Sequence, residues 1–418
     1  MNETLRYAVG LDVGTNNVRA VVASINEEGN LAVVGYAEAP NAGMRKGLVS
    51  NLVGPGAAID RMLGDVERMS GYEVNSAYVS VNGAHILSTH TEGMIAVGTA
   101  DHEIDVEDLD RVEDVAVSGR IPANRDVLDV IPLEYALDGQ GGVKNPIGMT
   151  GSRLEMRASV ISALAPHCEN LRKATESANV HADRLVPSVV AAAKAVLNEH
   201  QMENGVAVVD LGAATTSVAI FEEGDLQYVG VIPAGSNNIT NDLAIMLGID
   251  TEIADELKCK YVKGTLSTKD SPISLKVDGE TVEFERKKID DVVQARLIEI
   301  FDRVQKEIKQ AHYEKRLPEG VVLVGGGAKM REIDKFVKLA MGCSVKIGKP
   351  SGLSGVADAV AKPEYAAAVG LALLSAENKE RMTINKGMKK IKKSKKKVEG
   401  KKPKMETGSI FKNFFSKF

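Results

Sequence analysis

Two short segments of the chain, about 200 residues apart, place an aspartate and a glycine at the end of an apolar stretch. The first is Asp12-Val13-Gly14 and the second is Asp210-Leu211-Gly212. A glycine at such a turn leaves backbone N–H groups open to a ligand, because it carries no Cβ and tolerates positive φ. Both segments therefore predict a cradle for phosphate oxygens.

Further donors follow each turn, namely Thr15, Asn16, Thr215 and Thr216. An aspartate beside a phosphate cradle suits Mg²⁺, which proteins usually hold through one or two carboxylates, waters and substrate phosphates. We therefore expect Asp12 and Asp210 to face a magnesium ion, with water between them and the metal. If the protein has any catalysis, these two carboxylates are its candidate catalytic residues.

A third element, VVLVGGGAKMREIDKFV, combines an apolar strand, the glycines Gly325, Gly326 and Gly327, and a helix. Glycines that open a helix let a nucleotide approach the backbone. Each of the three elements alone is an ordinary turn, but their order is specific. It resembles the order of two phosphate loops and an adenosine motif in the actin, Hsp70 and sugar-kinase superfamily, which implies that ATP and Mg²⁺ bind between two lobes.

The elements that must position these residues alternate between strands and helices, which indicates an α/β protein. The strand, Asp-x-Gly turn and strand of YAVGLDVGTNNVRAVVASI return in GVAVVDLGAATTSVAIFEEG. Self-similarity at half-chain distance predicts two related halves. A length of 418 residues also exceeds one compact core. The resemblance implies a two-lobed actin-like ATPase fold with duplicated ribonuclease-H-like cores.

Composition limits the other classes. The three cysteines, Cys168, Cys259 and Cys343, show no CxxC spacing, so we expect neither a disulfide framework nor a zinc site, and a reduced cytosolic protein. The N-terminal residues lack the basic and apolar segments of a signal peptide. No stretch approaches the ~18 uninterrupted apolar residues that a transmembrane helix needs.

Within the superfamily, the chain resembles the FtsA family of actin-like bacterial cell-division proteins. The segment DVIPLEYALDGQGGVKNPIGMTGSRLEM is far more specific to that family than any phosphate loop. Further matches are GLDVGTNNVRAVVA, IPAGSNNITNDLAIMLG, VVLVGGGAKM and PEYAAAVGLALLSA. The resemblance covers residues 5–377 and the tip of the tail. It implies a protein that polymerises, binds FtsZ and helps to recruit later division proteins.

The resemblance also implies a domain organisation. Subdomain 1A would comprise residues 1–82 and 164–199, an inserted subdomain 1C residues 83–163, subdomain 2A residues 200–245 and 315–377, and subdomain 2B residues 246–314. A disordered, lysine-rich linker would follow at 378–407 and an amphipathic membrane-targeting helix at 408–418.

Nucleotide-binding residues can be carried over by matching motifs. Asp12, Gly14, Thr15 and Asn16 match the first phosphate loop, Asp210, Gly212, Thr215 and Thr216 the second, and Gly325, Gly326 and Gly327 the adenosine motif. Gly235 lies in the turn that opens the next helix. Asp255 and Lys258 fall where relatives use a Glu-x-x-Lys pair near the adenosine, although a solvated pair on a helix face explains them equally well.

The second phosphate loop departs from the family pattern. Many relatives carry glycines where this chain has Ala213 and Ala214. Because alanine tolerates positive φ poorly, the loop could be reshaped. We expect ATP binding to persist and hydrolysis, if any, to be slow and coupled to polymerisation.

The resemblance places the site for the acidic C-terminal tail of FtsZ in the 2B region. Four basic residues there are candidates for this contact: Arg286, Lys287, Lys288 and Arg296. The alternative is that these charges belong to the solvated face of a long amphipathic helix.

The charge is unevenly distributed. Residues 386–418 hold 13 lysines and two glutamates, a net charge of +11, although the whole chain carries −5. In a helix, five apolar side chains beyond the lysines would share one face: Ile410, Phe411, Phe414, Phe415 and Phe418. A basic segment with an apolar face predicts attachment to anionic lipids.

Nucleic acid is the competing partner for the lysines, but no aromatic residues are interleaved for base stacking. We therefore expect no nucleic-acid binding and a peripheral protein on the cytoplasmic face of the cell membrane, at the division site. Two alternatives within the superfamily remain, a small-molecule kinase and a pilus-type actin-like scaffold.

Overall fold

The structure is a computed structural model that describes residues 6–26, 29–98, 102–266, 271–277 and 280–379. The predicted membrane-targeting helix and all but the first two residues of the predicted linker lie outside these ranges. Within them, no helix is both long and apolar enough to cross a membrane.

The chain begins with a strand hairpin whose residues are apolar on both faces, as in strands covered by helices on either side. Its first elements are β1 (Arg6–Val13), β2 (Asn17–Ile25), β3 (Leu31–Pro40), β4 (Met44–Arg45), β5 (Leu48–Val49), α1 (Val53–Ser70) and β6 (Ser76–Val81). Helix α1 buries Ile59, Met62, Leu63 and Val66 against the sheet, at the spacing of one helix face.

A separate antiparallel sheet then interrupts the first lobe. Its elements are β7 (Leu87–Ala96), α2 (Val106–Val117), β8 (Arg125–Leu137), β9 (Gln140–Val143) and β10 (Arg153–Leu164). The strands are ordered β7-β10-β8-β9, and α2 covers one face over a core of its own. We call β7–β10 the inserted sheet. It also touches the second lobe, where Lys144 Nζ lies 2.7 Å from Asp225 Oδ2.

The chain then returns to the first lobe and crosses to the second. The next elements are α3 (Ala165–Glu176), β11 (His181–Pro187), α4 (Ser188–Val196), α5 (Glu199–Asn204), β12 (Val206–Leu211), β13 (Thr216–Glu222), β14 (Asp225–Ile232), α6 (Ser236–Leu247) and α7 (Thr251–Tyr261). Helix α4 is apolar almost throughout and is buried between the sheets of the two lobes.

The last part completes the second lobe and returns once more to the first. It contains β15 (Ile273–Val277), β16 (Glu280–Phe284), α8 (Arg286–Gln310), β17 (Val321–Val324), α9 (Ile333–Met341), β18 (Val345–Ile347), β19 (Ser354–Gly355), α10 (Ala357–Val360) and a final helix, α11, over 366–379. Helix α11 includes the first two residues of the predicted linker, 378 and 379.

The two lobes repeat one sheet topology. The first sheet has the order β11-β6-β1-β2-β3-β19 and the second has the order β14-β13-β12-β17-β18. Each sheet contains three antiparallel strands, β3-β2-β1 in the first and β14-β13-β12 in the second. Two parallel strands follow on the side of β1 and of β12, namely β6 and β11 in the first sheet and β17 and β18 in the second. The predicted α/β fold of two related halves is confirmed.

Candidate functional site

A cleft of about 510 Å³ lies between the two sheets. This volume is within the range of small-molecule sites. Its walls contain residues of both Asp-x-Gly turns and of the triple glycine, which the fold brings together from three distant parts of the chain. Among the predicted residues, those that line it are Asp12, Gly14, Thr15, Asn16, Asp210, Gly212, Thr215, Asp255, Lys258, Gly325, Gly326 and Gly327.

The two turns have the same backbone geometry. Gly14 N donates to Asn17 O at 3.1 Å, and Gly212 N donates to Thr215 O at 2.9 Å. A Cβ on either glycine would lie within 3 Å of that same carbonyl oxygen. Glycine is therefore required for steric reasons, because the turn folds back onto its own first residue.

The aspartates stand at the cleft ends of the central strands β1 and β12, and a serine hydroxyl holds each one. Ser80 Oγ donates to Asp12 Oδ1 at 2.7 Å, and Ser188 Oγ donates to Asp210 Oδ2 at 3.1 Å. Burial raises the pKa of the Asp12 carboxyl. Burial, with the neighbouring charge of Asp12, raises the pKa of Asp210 to about 6.

Two raised pKa values in one cleft mean that the anionic carboxylates lack sufficient positive charge around them. Arg19 lines the cleft and lowers both pKa values, but its Nε is also paired with Glu38 Oε2 at 3.0 Å. These two carboxylates are hard oxygen ligands with unbalanced negative charge, which suits Mg²⁺. No group of three or more His, Cys, Asp or Glu side chains in the described ranges could hold a metal. Waters and a ligand's phosphates would have to complete the shell.

The three glycines at the end of β17 differ in what surrounds them. A Cβ on Gly325, whose φ is +86°, would lie 2.3 Å from Asp210 Oδ1, and one on Gly327 would lie 2.4 Å from the Leu211 side chain. Nothing lies within 4 Å of a Cβ on Gly326, which lines the cleft. Two glycines thus permit close packing against β12, and the third leaves free space for a ligand.

Asp255 and Lys258 form a small polar cluster on the cleft wall. Lys258 Nζ contacts the Asp255 carboxylate and donates to Thr240 Oγ1 at 2.6 Å, and Thr240 Oγ1 donates to Asp255 Oδ1 at 3.0 Å. The Lys258 side chain is only 11% exposed. Lys258 is therefore largely buried in the cleft wall, whereas the Asp255 side chain is 48% exposed.

Two predicted residues lie away from the cleft surface. Thr216 is fully buried, and its hydroxyl donates to Ala234 O at 2.8 Å. Gly235 lies beneath the second loop, where a Cβ would meet the carbonyl oxygens of Gly212 and Ala213 at 2.7 Å. Neither Ala213 nor Ala214 has positive φ, so the alanines cause no backbone strain in this loop.

Sequence reasoning missed Asn237 and Asn82, which link the lobes. The Asn16 and Asn237 amides form a reciprocal pair across the cleft, at 3.0 and 2.8 Å. Asn82, also in the cleft wall, accepts from Ser217 Oγ at 3.1 Å. The NG dipeptide after the apolar AYVSV segment was the available signal for Asn82, since it marks a turn at a strand end.

The predicted partner residues lie on α8, three of them in its first turn and Arg296 nearly three turns further along. Lys287 and Lys288 are exposed, and Lys288 pairs with Glu285 at 2.9 Å. Arg286 Nε donates to Ser271 O at 3.4 Å. Arg296 is held by both oxygens of Asp242 on α6, at 2.6 and 2.9 Å.

One turn beyond Asp242 on α6 are two exposed apolar residues. Ile245 is 82% exposed and Met246 is 60% exposed. They lie three and four residues after Asp242, so they share its helix face beside α8. We call Asp242, Ile245, Met246 and Arg296 the α6–α8 surface.

Comparison with known proteins gives a family. A family model described as "Cell division protein FtsA" matches residues 207–370, and one described as "SHS2 domain inserted in FTSA" matches residues 83–162. The chain is 33% identical over 378 residues to the cell division protein FtsA of Pseudomonas aeruginosa, covering 90% of each chain. It is 31% identical to that of Escherichia coli K12, covering 88% of this chain and 89% of the relative.

Solved structures agree on the fold. The PilM–PilN type IV pilus biogenesis complex matches with a TM-score of 0.65 at 16% identity, over 88% of this chain and 98% of that one. MreB5 of Spiroplasma citri bound to ADP matches with a TM-score of 0.51 at 14% identity, over 92% and 98%. The two-lobed architecture is thus that of the actin-like ATPases.

Proposed function

The chain belongs to the FtsA family of cell-division proteins, and we propose that it is an ATP-binding, polymerising adaptor that attaches FtsZ to the membrane. ATP and Mg²⁺ would bind in the cleft, and the tail would hold the protein on the cytoplasmic face of the membrane at the division site. FtsZ, other copies of the chain, anionic lipids and later division proteins are its proposed partners.

The observation that carries the nucleotide part is the convergence of three glycine elements on one cleft. Residues of the two matching turns line the same cleft as Asp12 and Asp210. The open position beside Gly326 leaves room for a nucleoside at the other end. A triphosphate between the turns would supply the anionic oxygens that such turns bind.

Asp12 and Asp210 are the residues that would hold the Mg²⁺, through water. The ion, when bound, would offset the charge of the phosphates and of both carboxylates. The protein's part is to fix the carboxylates, which Ser80 and Ser188 do by hydrogen bonds. Since the alanines in the second loop do not have positive φ, we propose that nucleotide binding is intact. We also propose that any hydrolysis is slow and coupled to polymerisation.

A titration of ATP with Mg²⁺, and again with EDTA, tests the nucleotide part. We expect clear Mg²⁺-dependent binding, weakened at least about tenfold by Asp210→Ala. Asp65→Ala, at an exposed position on α1, is the control and should bind like the parent chain. Undiminished binding by Asp210→Ala would discard this site. Clear phosphate transfer to a sugar would favour a kinase over an adaptor.

For FtsZ, we propose that the α6–α8 surface contributes with Arg286, Lys287 and Lys288. Arg296 is already engaged by Asp242, so we assign it to shaping the surface. Ile245 and Met246 would bind apolar side chains of the partner, because their exposure leaves that area uncovered in the monomer.

Fluorescence anisotropy with a labelled C-terminal peptide of FtsZ tests this surface. Met246→Asp should weaken binding at least about fivefold through the loss of an apolar contact. Leu339→Asp is a matched control, because Leu339 is 82% exposed on a different helix, α9. Equal effects of the two variants would argue against the α6–α8 surface.

For the membrane, the proposal rests on the basic and apolar pattern of residues 386–418. The full chain should co-sediment with vesicles that contain anionic lipid and much less with neutral ones. A chain that ends at residue 407 should stay in the supernatant in both cases. Undiminished co-sedimentation of the truncated chain would refute residues 408–418 as the anchor.

A further inference from the structure

Asn82 occupies an unusual position in the chain. It follows β6 directly, at the cleft, and precedes the segment 83–162 that forms the inserted sheet. The returning strand β10 ends nearby, at Leu164. We call residues 82–85 and 164 the neck, because the chain enters and leaves the inserted sheet there.

The amide nitrogen of Asn82 reaches the carboxylate region of the cleft through one serine. Asn82 Nδ2 donates to Ser188 Oγ at 3.1 Å, and Ser188 Oγ donates to Asp210 Oδ2 at 3.1 Å. A serine hydroxyl has a single proton to donate. The Asn82 donor, by occupying a lone pair of the Ser188 hydroxyl, therefore leaves that proton directed at Asp210.

The amide oxygen of Asn82 contacts the opposite lobe and the neck together. It accepts from Ser217 Oγ of β13 at 3.1 Å and from the backbone N–H of Gly83 at 2.8 Å. One planar side chain thus connects the first lobe, the second lobe and the first residue of the insertion.

The main chain of Asn82 extends this connection to the other side of the neck. His85 Nε2 lies 3.2 Å from Asn82 O, and His85 Nδ1 lies 3.1 Å from the N–H of Leu164. A backbone N–H can only donate, so Nδ1 is the acceptor and the neutral ring carries its proton on Nε2. The two ends of the inserted sheet are joined through this imidazole.

Tight packing prevents the neck from moving independently. Gly83 has a φ of +121°, and a Cβ there would lie 2.7 Å from the Leu48 side chain. On the other side, a Cβ on Gly47 would lie 3.0 Å from Gly83 N. The turn between β4 and β5 therefore lies directly against the neck, and a shift of Gly83 must also move Asn82.

We propose that Asn82 is a positioning residue that directs the Ser188 hydroxyl to Asp210. By the same amide, it connects the end of the cleft that holds Asp210 to the neck of the inserted sheet. This inference rests on the proposed binding of ATP and Mg²⁺. Nucleotide binding in the cleft is then transmitted to the neck, and the orientation of the inserted sheet affects nucleotide affinity equally, because such coupling is reciprocal.

The chemistry requires an amide at this position. The side chain must donate to Ser188 while it accepts from Ser217 and Gly83. Aspartate keeps the acceptor and loses the donor, and alanine loses both. The two substitutions therefore separate the contact with the cleft from the contact with the neck.

The test compares the parent chain with Asn82→Ala, Asn82→Asp and the control Asn75→Ala, an exposed position just before the other end of β6. Calorimetry gives the ATP affinity with Mg²⁺ and with EDTA. Amide hydrogen exchange of peptides covering 83–86 and 163–165 is followed without ligand and with Mg²⁺-ATP.

We expect Asn82→Ala to weaken Mg²⁺-ATP binding about tenfold and to leave ATP affinity in EDTA within about twofold. It should also speed exchange at the neck and abolish the change that Mg²⁺-ATP causes there. Asn82→Asp should weaken Mg²⁺-ATP binding with little change at the neck of the ligand-free chain. Asn75→Ala should match the parent chain.

An equal loss of ATP affinity with and without Mg²⁺ in Asn82→Ala would indicate a merely structural role and overturn the proposal. Hydrogen exchange at the neck of Asn82→Ala that equals that of the parent chain would also overturn it. If the parent chain binds no Mg²⁺-ATP, the proposed function fails on its own account. Hydrogen exchange of the ligand-free chain then tests the contact between Asn82 and the neck. Faster exchange at the neck in Asn82→Ala supports this contact, and unchanged exchange refutes it.

Discussion

The two lobes share a topology but use equivalent strand ends for different purposes. Strands β6 and β17 occupy the same place, parallel to the central strand that carries the cleft aspartate. At the end of β17 the chain forms the triple glycine, which leaves open space in the cleft. At the end of β6 it forms Asn82 and Gly83 and enters the inserted sheet.

This difference shows how a duplicated scaffold acquires separate roles. Both strand ends reach the same cleft because the topology requires it. Glycine at one end removes side chains so that a ligand can approach, whereas an amide at the other end fills the space and links three parts of the protein. The following predictions test that contrast.

The largest effect is expected at Gly325. Gly325→Ala would place a methyl group 2.3 Å from Asp210 Oδ1 on a backbone with a φ of +86°. Strain and overlap together should lower the free energy of unfolding by more than about 3 kcal/mol. Gly326→Ala meets no atom within 4 Å and should leave stability within about 0.5 kcal/mol. Urea unfolding measures both, and equal losses would contradict the assigned roles.

Asp210→Asn should increase stability in the absence of metal and nucleotide. With the pKa raised from 3.8 to about 6, the folded state binds more protons than the unfolded state between these pH values, so stability falls as pH rises. Above pH 6 the whole cost is present, roughly 3 kcal/mol. Asparagine removes it, so unfolding at pH 7.5 in EDTA should require more urea. Asp65→Asn is the surface control, and no gain would show that the charge is compensated.

Protonation of His85 at low pH should destabilise the folded protein at the neck. Burial and the nearby His167 and Arg125 lower the pKa of His85 from 6.5 to about 4. The unfolded state therefore binds the extra proton first, and stability is complete above pH 6.5 and lost towards pH 4. Between pH 7 and 5 the loss attributable to His85 should be about 2 kcal/mol.

The uncharged variant His85→Gln, compared with the exposed control His181→Gln, isolates this contribution. Glutamine offers an NH2 group as donor and a carbonyl oxygen as acceptor, so it can retain the neck contacts without titrating. The parent chain and His181→Gln should lose more stability on acidification than His85→Gln does. Identical pH profiles for all three would remove His85 as the cause.

The smallest effect is expected for the amide pair between the lobes. Asn16 and Asn237 are not deeply buried, and each single alanine variant should cost about 0.5–1 kcal/mol. The double variant should cost no more than either single one, because one interaction is lost in all three. Additive losses in thermal unfolding would mean that the amides act separately.

Local backbone requirements made the core of the site predictable. In each Asp-x-Gly turn a Cβ on the glycine would overlap a carbonyl oxygen of the same turn, so both turns and the triple glycine are visible in the sequence. The position of Thr216 away from the cleft surface has an equally local reason. Side chains alternate along a strand, so Thr215 lines the cleft and Thr216 points away to Ala234.

Residues that act through distant partners could not be predicted in this way. Asn82 is separated from Ser188 by 106 positions and from Ser217 by 135. Asn16 and Asn237 are 221 positions apart. Nothing in the neighbouring residues specifies such pairs, because the sheet order and the packing of the lobes create them.

Helix α11 connects the cleft to the start of the segment that we propose as the membrane anchor. Its first residues, Ala366 and Ala367, line the cleft, and its last, Lys379, donates to Tyr7 O at the far end of β1 at 2.8 Å. Between them the helix lies so close to β1 that a Cβ on Gly10 would meet Ala368 O at 2.1 Å. A force applied to the chain beyond residue 379 would therefore act along helix α11, which is about 21 Å long. The helix would transmit this force to the wall of the cleft.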